Sequence, residues 1–191
     1  GTVVSTQNVS CNSGANGALD LTITGGTAPY TYVWSNGATT QDISGLFSGT
    51  YIVTVTDAQS CVFTVSGTVS QPANALGASV SSSQDVLCYG GANASISLSV
   101  SGGTTPYGYV WSNGATTQNI SGLTSGTYTA TVTDANGCIT SVSKQITQPA
   151  QALAGTATIS QNVSCYGFSN GSITLSVVGG TSPYTFAWSN G

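Results

Sequence analysis

Apolar and polar side chains alternate along three early stretches of the chain. In ALDLTIT (18–24), Leu19, Leu21 and Ile23 are separated by Asp20 and Thr22. In YTYVW (30–34), Tyr30, Tyr32 and Trp34 occupy every second position. In GTYIVTVTD (49–57), Tyr51, Val53 and Val55 alternate with Ile52, Thr54 and Thr56. Successive side chains of a strand point to opposite faces, so a period of two predicts half-buried strands. A fourth strand, CVFTVSGTVSQ, opens at Cys61 and is closed by Pro72. Gly25-Gly26, Asn36-Gly37 and Ser48-Gly49 are turn dipeptides between these runs. No stretch of useful length carries the 3.6-residue period of a helix.

The pattern then comes round again. GGTAPYTYVWSNGATTQ (25–41) returns as GGTTPYGYVWSNGATTQ (102–118) and as GGTSPYTFAWSNG (179–191). Trp34, Trp111 and Trp188 lie 77 residues apart, as do Cys11, Cys88 and Cys165. The period defines two full units, 1–77 and 78–154, and the first part of a third, 155–191. The copies act as an internal substitution series. Leu19, Leu21 and Ile23 become Ile96, Leu98 and Val100, then Ile173, Leu175 and Val177, while Asp20 becomes Ser97 and Thr174. Positions that stay apolar define the inner face.

Short alternating strands with frequent turns predict an all-β fold: tandem immunoglobulin-like antiparallel β-sandwiches. Tyr51 follows Gly49 near the start of the penultimate strand, the place of a tyrosine corner. The expected core comprises Tyr30, Tyr32, Trp34 and Tyr51, their copies Tyr107, Tyr109, Trp111 and Tyr128, and Trp188. The joints QPANAL (71–76) and QPAQAL (148–153) are short and contain Pro, which predicts semi-rigid connections.

Charge removes several function classes. The chain holds five acidic residues, one basic residue and no His, for a net charge of −4. Nucleic-acid binding needs Lys and Arg to neutralise phosphates, and a basic patch is what holds a protein on anionic membranes. Neither partner is expected. The chain has no initiator Met, no leader and no long apolar run, so it is expected to be an interior piece of a longer secreted chain without membrane insertion.

Five Cys, two per full unit, suggest disulfides formed in an oxidising compartment. Pairing within units joins Cys11 to Cys61 and Cys88 to Cys138, with the partner of Cys165 beyond the sequence. Pairing between units joins Cys61 to Cys88 and Cys138 to Cys165. The first is preferred, because the first and last strands of such a sandwich are neighbours.

Catalysis finds no machinery. There is no His or Glu, Lys144 is the only Lys, and Asp20 and Asp42 become Ser97 and Asn119 in the second copy. That inventory offers no paired carboxylates and no nucleophile–base couple, so no enzyme and no cofactor are expected. Asp57 and Asp134 recur in VTDA and are weak calcium candidates, since calcium takes six to eight oxygens and usually several carboxylates. An Asp bonding its own turn is the preferred reading, and no metal is expected. Trp34 and Trp111 could stack on sugars, but a Trp on the third strand of a sandwich normally sits in the core. Asn8, Asn93 and Asn162 stand in Asn-x-Ser sequences, which are acceptors for glycosylation.

The long motif GGTxPYxYxWSNGATTQxISGLxSGTYxxTVTDAxxC…TxxQP resembles the SprB repeat, over both full units and the started third. The resemblance implies a very large extracellular, cell-surface adhesin of gliding bacteria of the Bacteroidota, exported by type IX secretion, with tandem repeats forming a stalk or filament carried along the surface. Similar repeats occur in surface proteins not tied to gliding. Three roles compete: a stalk whose partners are neighbouring repeats, a polysaccharide-binding module acting by avidity, and a fibre in which several chains associate. Outer positions rich in Ser, Thr and Asn, without a fixed aromatic or charged cluster, favour the stalk.

Overall fold

The computed structural model describes residues 1–190, which form fourteen strands and, among the described residues, no helix. The first six are β1 (Thr2–Gln7), β2 (Gly17–Thr22), β3 (Thr31–Trp34), β4 (Ile43–Leu46), β5 (Gly49–Thr56) and β6 (Val62–Val69). They make two three-stranded sheets, β1-β2-β4 and β3-β5-β6. The ladders β1/β2, β2/β4, β3/β5 and β5/β6 are antiparallel, with Val3 opposite Leu21, Leu19 opposite Ile43, Trp34 opposite Val53 and Val53 opposite Val65. This is the ABE and CFG order of an immunoglobulin sandwich that lacks strand D.

β7 (Gly77–Gln84), β8 (Ala94–Ser101), β9 (Gly108–Trp111), β10 (Ile120–Leu123), β11 (Gly126–Thr133) and β12 (Ile139–Ile146) repeat the arrangement, in sheets ordered β10-β8-β7 and β12-β11-β9. The starts of β9 to β12 each lie 77 residues after those of β3 to β6. β13 (Ala154–Gln161) and β14 (Ser172–Val178) pair as a two-stranded antiparallel sheet.

The alternation seen in the sequence becomes the core. Leu19 and Leu21 of β2, Trp34 of β3, Ile43 and Leu46 of β4, Val53 and Val55 of β5 and Val69 of β6 form one buried cluster with Val9. Tyr30, Tyr32 and Tyr51 are half-buried against it. Trp34 and Trp111 are 2% and 3% exposed, which leaves neither ring a face for a sugar. Tyr107, Tyr109 and Tyr128 are half-buried like their counterparts. Trp188 differs: it is 46% exposed and outside any strand. In the first copy β3 is held by β5, and among the described residues no strand pairs with the stretch that carries Trp188.

The loop 35–42 carries the edge of β4 further along β2. Gln41 donates through Nε2 to the carbonyl of Leu21 (2.7 Å), and Asp42 accepts the Leu21 N–H (3.0 Å). Two side chains thereby satisfy the backbone pair that a neighbouring strand would have satisfied. Gln118 and Asn119 treat Leu98 in the same way, at 2.7 and 3.1 Å. The same loop receives the indole N–H groups, Trp34 to the Thr40 carbonyl (2.9 Å) and Trp111 to the Thr117 carbonyl (2.8 Å). SNGATTQ is therefore repeated verbatim for a structural reason. At the opposite corner the Tyr51 hydroxyl donates to the Phe47 carbonyl (3.0 Å) and the Tyr128 hydroxyl to the Thr124 carbonyl (3.1 Å), the tyrosine-corner bond.

By its packing the chain divides into two compact units. One takes in Gly1–Ser79, Ser99–Val110 and Thr131–Ser141; the other takes in Val80–Leu98, Trp111–Ala130 and the residues from Val142 onward. The first unit thus joins the whole first sandwich to the loop-bearing ends of β8, β9, β11 and β12.

Candidate functional site

The turn between β5 and β6 is organised by one carboxylate. Asp57 accepts the N–H of Thr27 on one oxygen (3.0 Å) and those of Gln59 (2.8 Å) and Cys61 (2.9 Å) on the other. Asp134, between β11 and β12, accepts from Thr104, Asn136 and Cys138 at 2.9 Å each. Both candidate calcium ligands therefore spend their oxygens on N–H donors, the preferred Asx-turn use. Among the described residues no group of three or more His, Cys, Asp or Glu is placed to hold a metal ion.

These bonds, together with the N–H and hydroxyl that Thr147 donates to Asp85, set the acid response. The N–H groups of Cys61 and Thr27 hold the Asp57 carboxyl below its ordinary pKa. Burial pushes Asp134 up, but the N–H groups of Thr104, Cys138 and Asn136 outweigh it and leave this carboxyl low as well. A folded-state pKa below the unfolded value contributes stability that is complete above the unfolded pKa, about 3.9, and is lost as pH falls through the folded one. The melting temperature should accordingly fall below about pH 4. The Asp57→Asn, Asp134→Asn double variant should show a shallower acid slope in a calorimetric pH series, and an unchanged slope would assign the acid response elsewhere. Asp20 acts in the opposite sense: its hydrogen bond to Asp42 and the repulsion between the two carboxylates raise its pKa, and the second copy removes the conflict with Ser97 and Asn119.

The first joint packs tightly on the turn just described. Gly103 donates its N–H to the Asn74 carbonyl (3.1 Å). Gly102 has a φ of +68°, and a Cβ added there would lie 2.0 Å from the Ala75 carbonyl oxygen. No side chain fits that gap, so Gly is required twice over, for the left-handed backbone and for the close approach. Leu76 covers Gly103, its Cδ1 3.1 Å from where a Cβ would stand. The second joint repeats the arrangement. Gly180 donates to the Gln151 carbonyl (3.0 Å), and a Cβ on Gly179 would lie 2.0 Å from the Ala152 oxygen. At Gly25, the aligned position of the first copy, nothing lies within 4 Å. The sequence marks Gly-Gly as a turn; only the structure shows that the pair also seats the joint.

A disulfide fastens the first joint. It links Cys11, in the loop between β1 and β2, to Cys138, in the turn between β11 and β12, with the Cα atoms 5.6 Å apart. Asn136 reinforces it, donating through Nδ2 to the Ser10 carbonyl (3.1 Å). Cys61, Cys88 and Cys165 are free and exposed. This corrects the expected pairing of Cys11 with Cys61 and of Cys88 with Cys138, and it is not the alternative of Cys61 with Cys88 and Cys138 with Cys165 either.

The reason for the correction is strand direction. β1 and β6 are neighbours and run the same way. Gly1 lies by Phe63, Val3 by Gly67, the Val9 N–H bonds to the Ser70 carbonyl (2.9 Å) and Asn12 donates to the Pro72 carbonyl (3.0 Å). Cys61 thus sits at the end where the chain enters the sandwich and Cys11 at the end where it leaves. β6 has eight residues, which puts the two ends ~23 Å apart at ~3.3 Å per residue, beyond the ~4.4–6.8 Å that a disulfide spans.

Of Asn8, Asn93 and Asn162 in their Asn-x-Ser sequences, the first two accept backbone N–H groups. Asn8 and Asn93 accept the N–H groups of Ser70 (2.9 Å) and Leu87 (3.1 Å), bracing the ends of the loop that carries Cys11 or Cys88. Among the described residues no helix is long and apolar enough to cross a membrane.

The family model described as SprB repeat matches residues 3–39, 80–116 and 157–191, together more than half of the chain. The three matches begin 77 residues apart. No curated protein matches the chain in sequence. Among solved structures, the chain is similar to the C-terminal 282-residue fragment of intimin, crystallised with the intimin-binding domain of the translocated intimin receptor (Tir). The identity is 11% and the TM-score 0.41, over 84% of this chain and 66% of that one.

Proposed function

Because the chain belongs to the SprB repeat family, whose members are repeat modules of cell-surface proteins, we propose that it is a non-catalytic structural segment of a large secreted adhesin or filament, a stalk that projects a distant adhesive part and serves gliding motility or surface attachment. Its folding units are 1–77, 78–154 and the first part of a third, 155–191. Its partners are the neighbouring repeats of the same chain, and its place is the extracellular face of the cell, reached by type IX secretion.

The observation that carries this reading is the joint. Asn74 with Gly102–Gly103 and Gln151 with Gly179–Gly180 use the same backbone bond and the same glycine approach. The sequence invests its most constrained residues in seating one repeat on the next. It invests none in a shared aromatic platform, since both complete-copy Trp rings are in the core.

Removing whole 77-residue periods from the natural protein tests the reading. Reach from the cell, measured by electron microscopy of labelled cells, should fall in proportion to the periods removed, while adhesion by the distal part persists at short range. The competing reading, a polysaccharide-binding module acting through avidity, expects the isolated segment to be retained on immobilised dextran, chitin or agarose, with retention rising with repeat number. Retention of that kind would replace the stalk. Lateral association of several chains into a fibre would show as filaments wider than one chain.

A further inference from the structure

We propose that every joint of the array is closed by a disulfide of the kind seen at the first, so that Cys61, Cys88 and Cys165 are the open ends of a ladder. The cysteine of each β1–β2-type loop bonds to the cysteine of the β5–β6-type turn in the next repeat. Cys61 then takes the residue aligned with Cys11 one repeat upstream. Cys88 and Cys165 take residues one and two periods beyond Cys138. The inference rests on the reading of the segment as part of a tandem array.

The free cysteines are already shaped for this. The Cys88 loop copies the Cys11 loop: Gly91 donates to the Cys88 carbonyl (2.9 Å) as Gly14 does to that of Cys11 (2.8 Å). Gln148 accepts the Gly90 N–H (3.0 Å) as Gln71 accepts that of Ser13 (2.9 Å). The Cys61 turn copies the Cys138 turn. The carbonyls of Cys61 and Cys138 each accept an Asp N–H at 3.0 Å, and their own N–H groups each donate to that Asp at 2.9 Å. Ser60, one of the chain's few non-glycine residues with positive φ (64°), holds the left-handed position that Gly137 occupies at 80°.

The receiving surface is also present and open on the first copy. A cleft of about 340 Å³ is lined by Gly25, Gly26, Tyr30, Asp57, Cys61 and Phe63, among others. Gly26 is aligned with Gly103, which Leu76 covers at the first joint. The occupant of the cleft is therefore the Leu of a preceding QPAxAL joint, which brings the upstream loop cysteine to Cys61.

Each bridge forms one S–S bond from two thiols, which lose two protons and two electrons. The acceptor is a disulfide-bearing thiol oxidant of the secretory route, which is reduced to its dithiol by exchange.

The test is disulfide mapping on the natural full-length chain, alkylated without reduction and cleaved with chymotrypsin or elastase. The expected products are the Cys11–Cys138 peptide and cross-linked peptides joining Cys61 and Cys88 each to a cysteine in the adjoining repeat. In the 191-residue segment alone, thiol titration should find three free thiols. Recovery of Cys61 and Cys88 as alkylated thiols from the natural chain would overturn the ladder, as would within-repeat Cys11–Cys61 and Cys88–Cys138 peptides. Free thiols in a chain whose reach still scales with repeat number would sink the ladder and leave the stalk standing. An intact ladder in a chain retained on polysaccharide would do the reverse.

Discussion

Trp34→Ala is expected to destabilise the first sandwich by ~3–5 kcal/mol, the range for truncating a large buried aromatic. The ring is 2% exposed and sits in the cluster with Leu19, Leu21, Val53 and Val55, so its removal leaves a void that both sheets line. A second loss adds to the first, because the Thr40 carbonyl loses the indole N–H that it accepts at 2.9 Å. Small domains hold only ~5–15 kcal/mol in all. For a unit of this size each kcal/mol moves the melting temperature by roughly 4–8 °C, so a fall of about 12 °C or more is expected in calorimetry. Trp34→Phe should cost less, since it keeps most of the volume and forfeits only the hydrogen bond. Trp111→Ala should reproduce the effect in the second sandwich, where the ring is 3% exposed. An unchanged transition in either Ala variant would remove the ring from the core.

That prediction could be written from the sequence, and the reason shows what was legible there. A half-buried strand imposes a period of two on its side chains, and the 77-residue offset supplies a second and third sample of every position. Leu19, Leu21, Trp34, Val53 and Val55 stand out on both counts. β4 does not: ISGL buries only its two ends, Ile43 and Leu46, with a Ser-Gly pair between, so no alternation announces it. Nor does any period announce the loop 35–42, where two side chains, Gln41 and Asp42, act on β2 as the backbone of a longer β4 would. The disulfide was misread for a geometric reason. Adjacency of β1 and β6 says nothing of where their cysteines lie until the direction of travel is known, and parallel travel puts Cys11 and Cys61 at opposite ends. Gly25-Gly26 reads as a turn, but at its copy Gly102 the tighter constraint comes from Ala75, 27 positions earlier.

Stretching a single chain should separate the observed pairing from the expected one. Under oxidising conditions the load entering at the N-terminus reaches Cys11 and crosses directly to Cys138. The chain between them, from β2 through β11, is bypassed and cannot lengthen even if its sandwiches melt. Reduction opens the bypass. It frees 127 residues, which at ~3.5 Å each amount to roughly 440 Å of new extension for this one bridge. Within-repeat bridges would behave differently, since they would leave Cys61 to Cys88 and everything between free to extend before reduction. In the natural chain the ladder makes the contrast larger. The bypassed spans overlap, because Cys88 leaves for the next repeat before the span from Cys11 closes at Cys138. Between Cys138 and Cys165, where the next bridge but one departs, only 27 residues carry load. An oxidised array should therefore rise steeply in force with almost no steps. The same array in reductant should yield a series of long extensions, one set for each joint. Traces with the same step lengths in oxidant and reductant would show that the joints carry no covalent load, and the bond between Cys11 and Cys138 would have to be set aside with them.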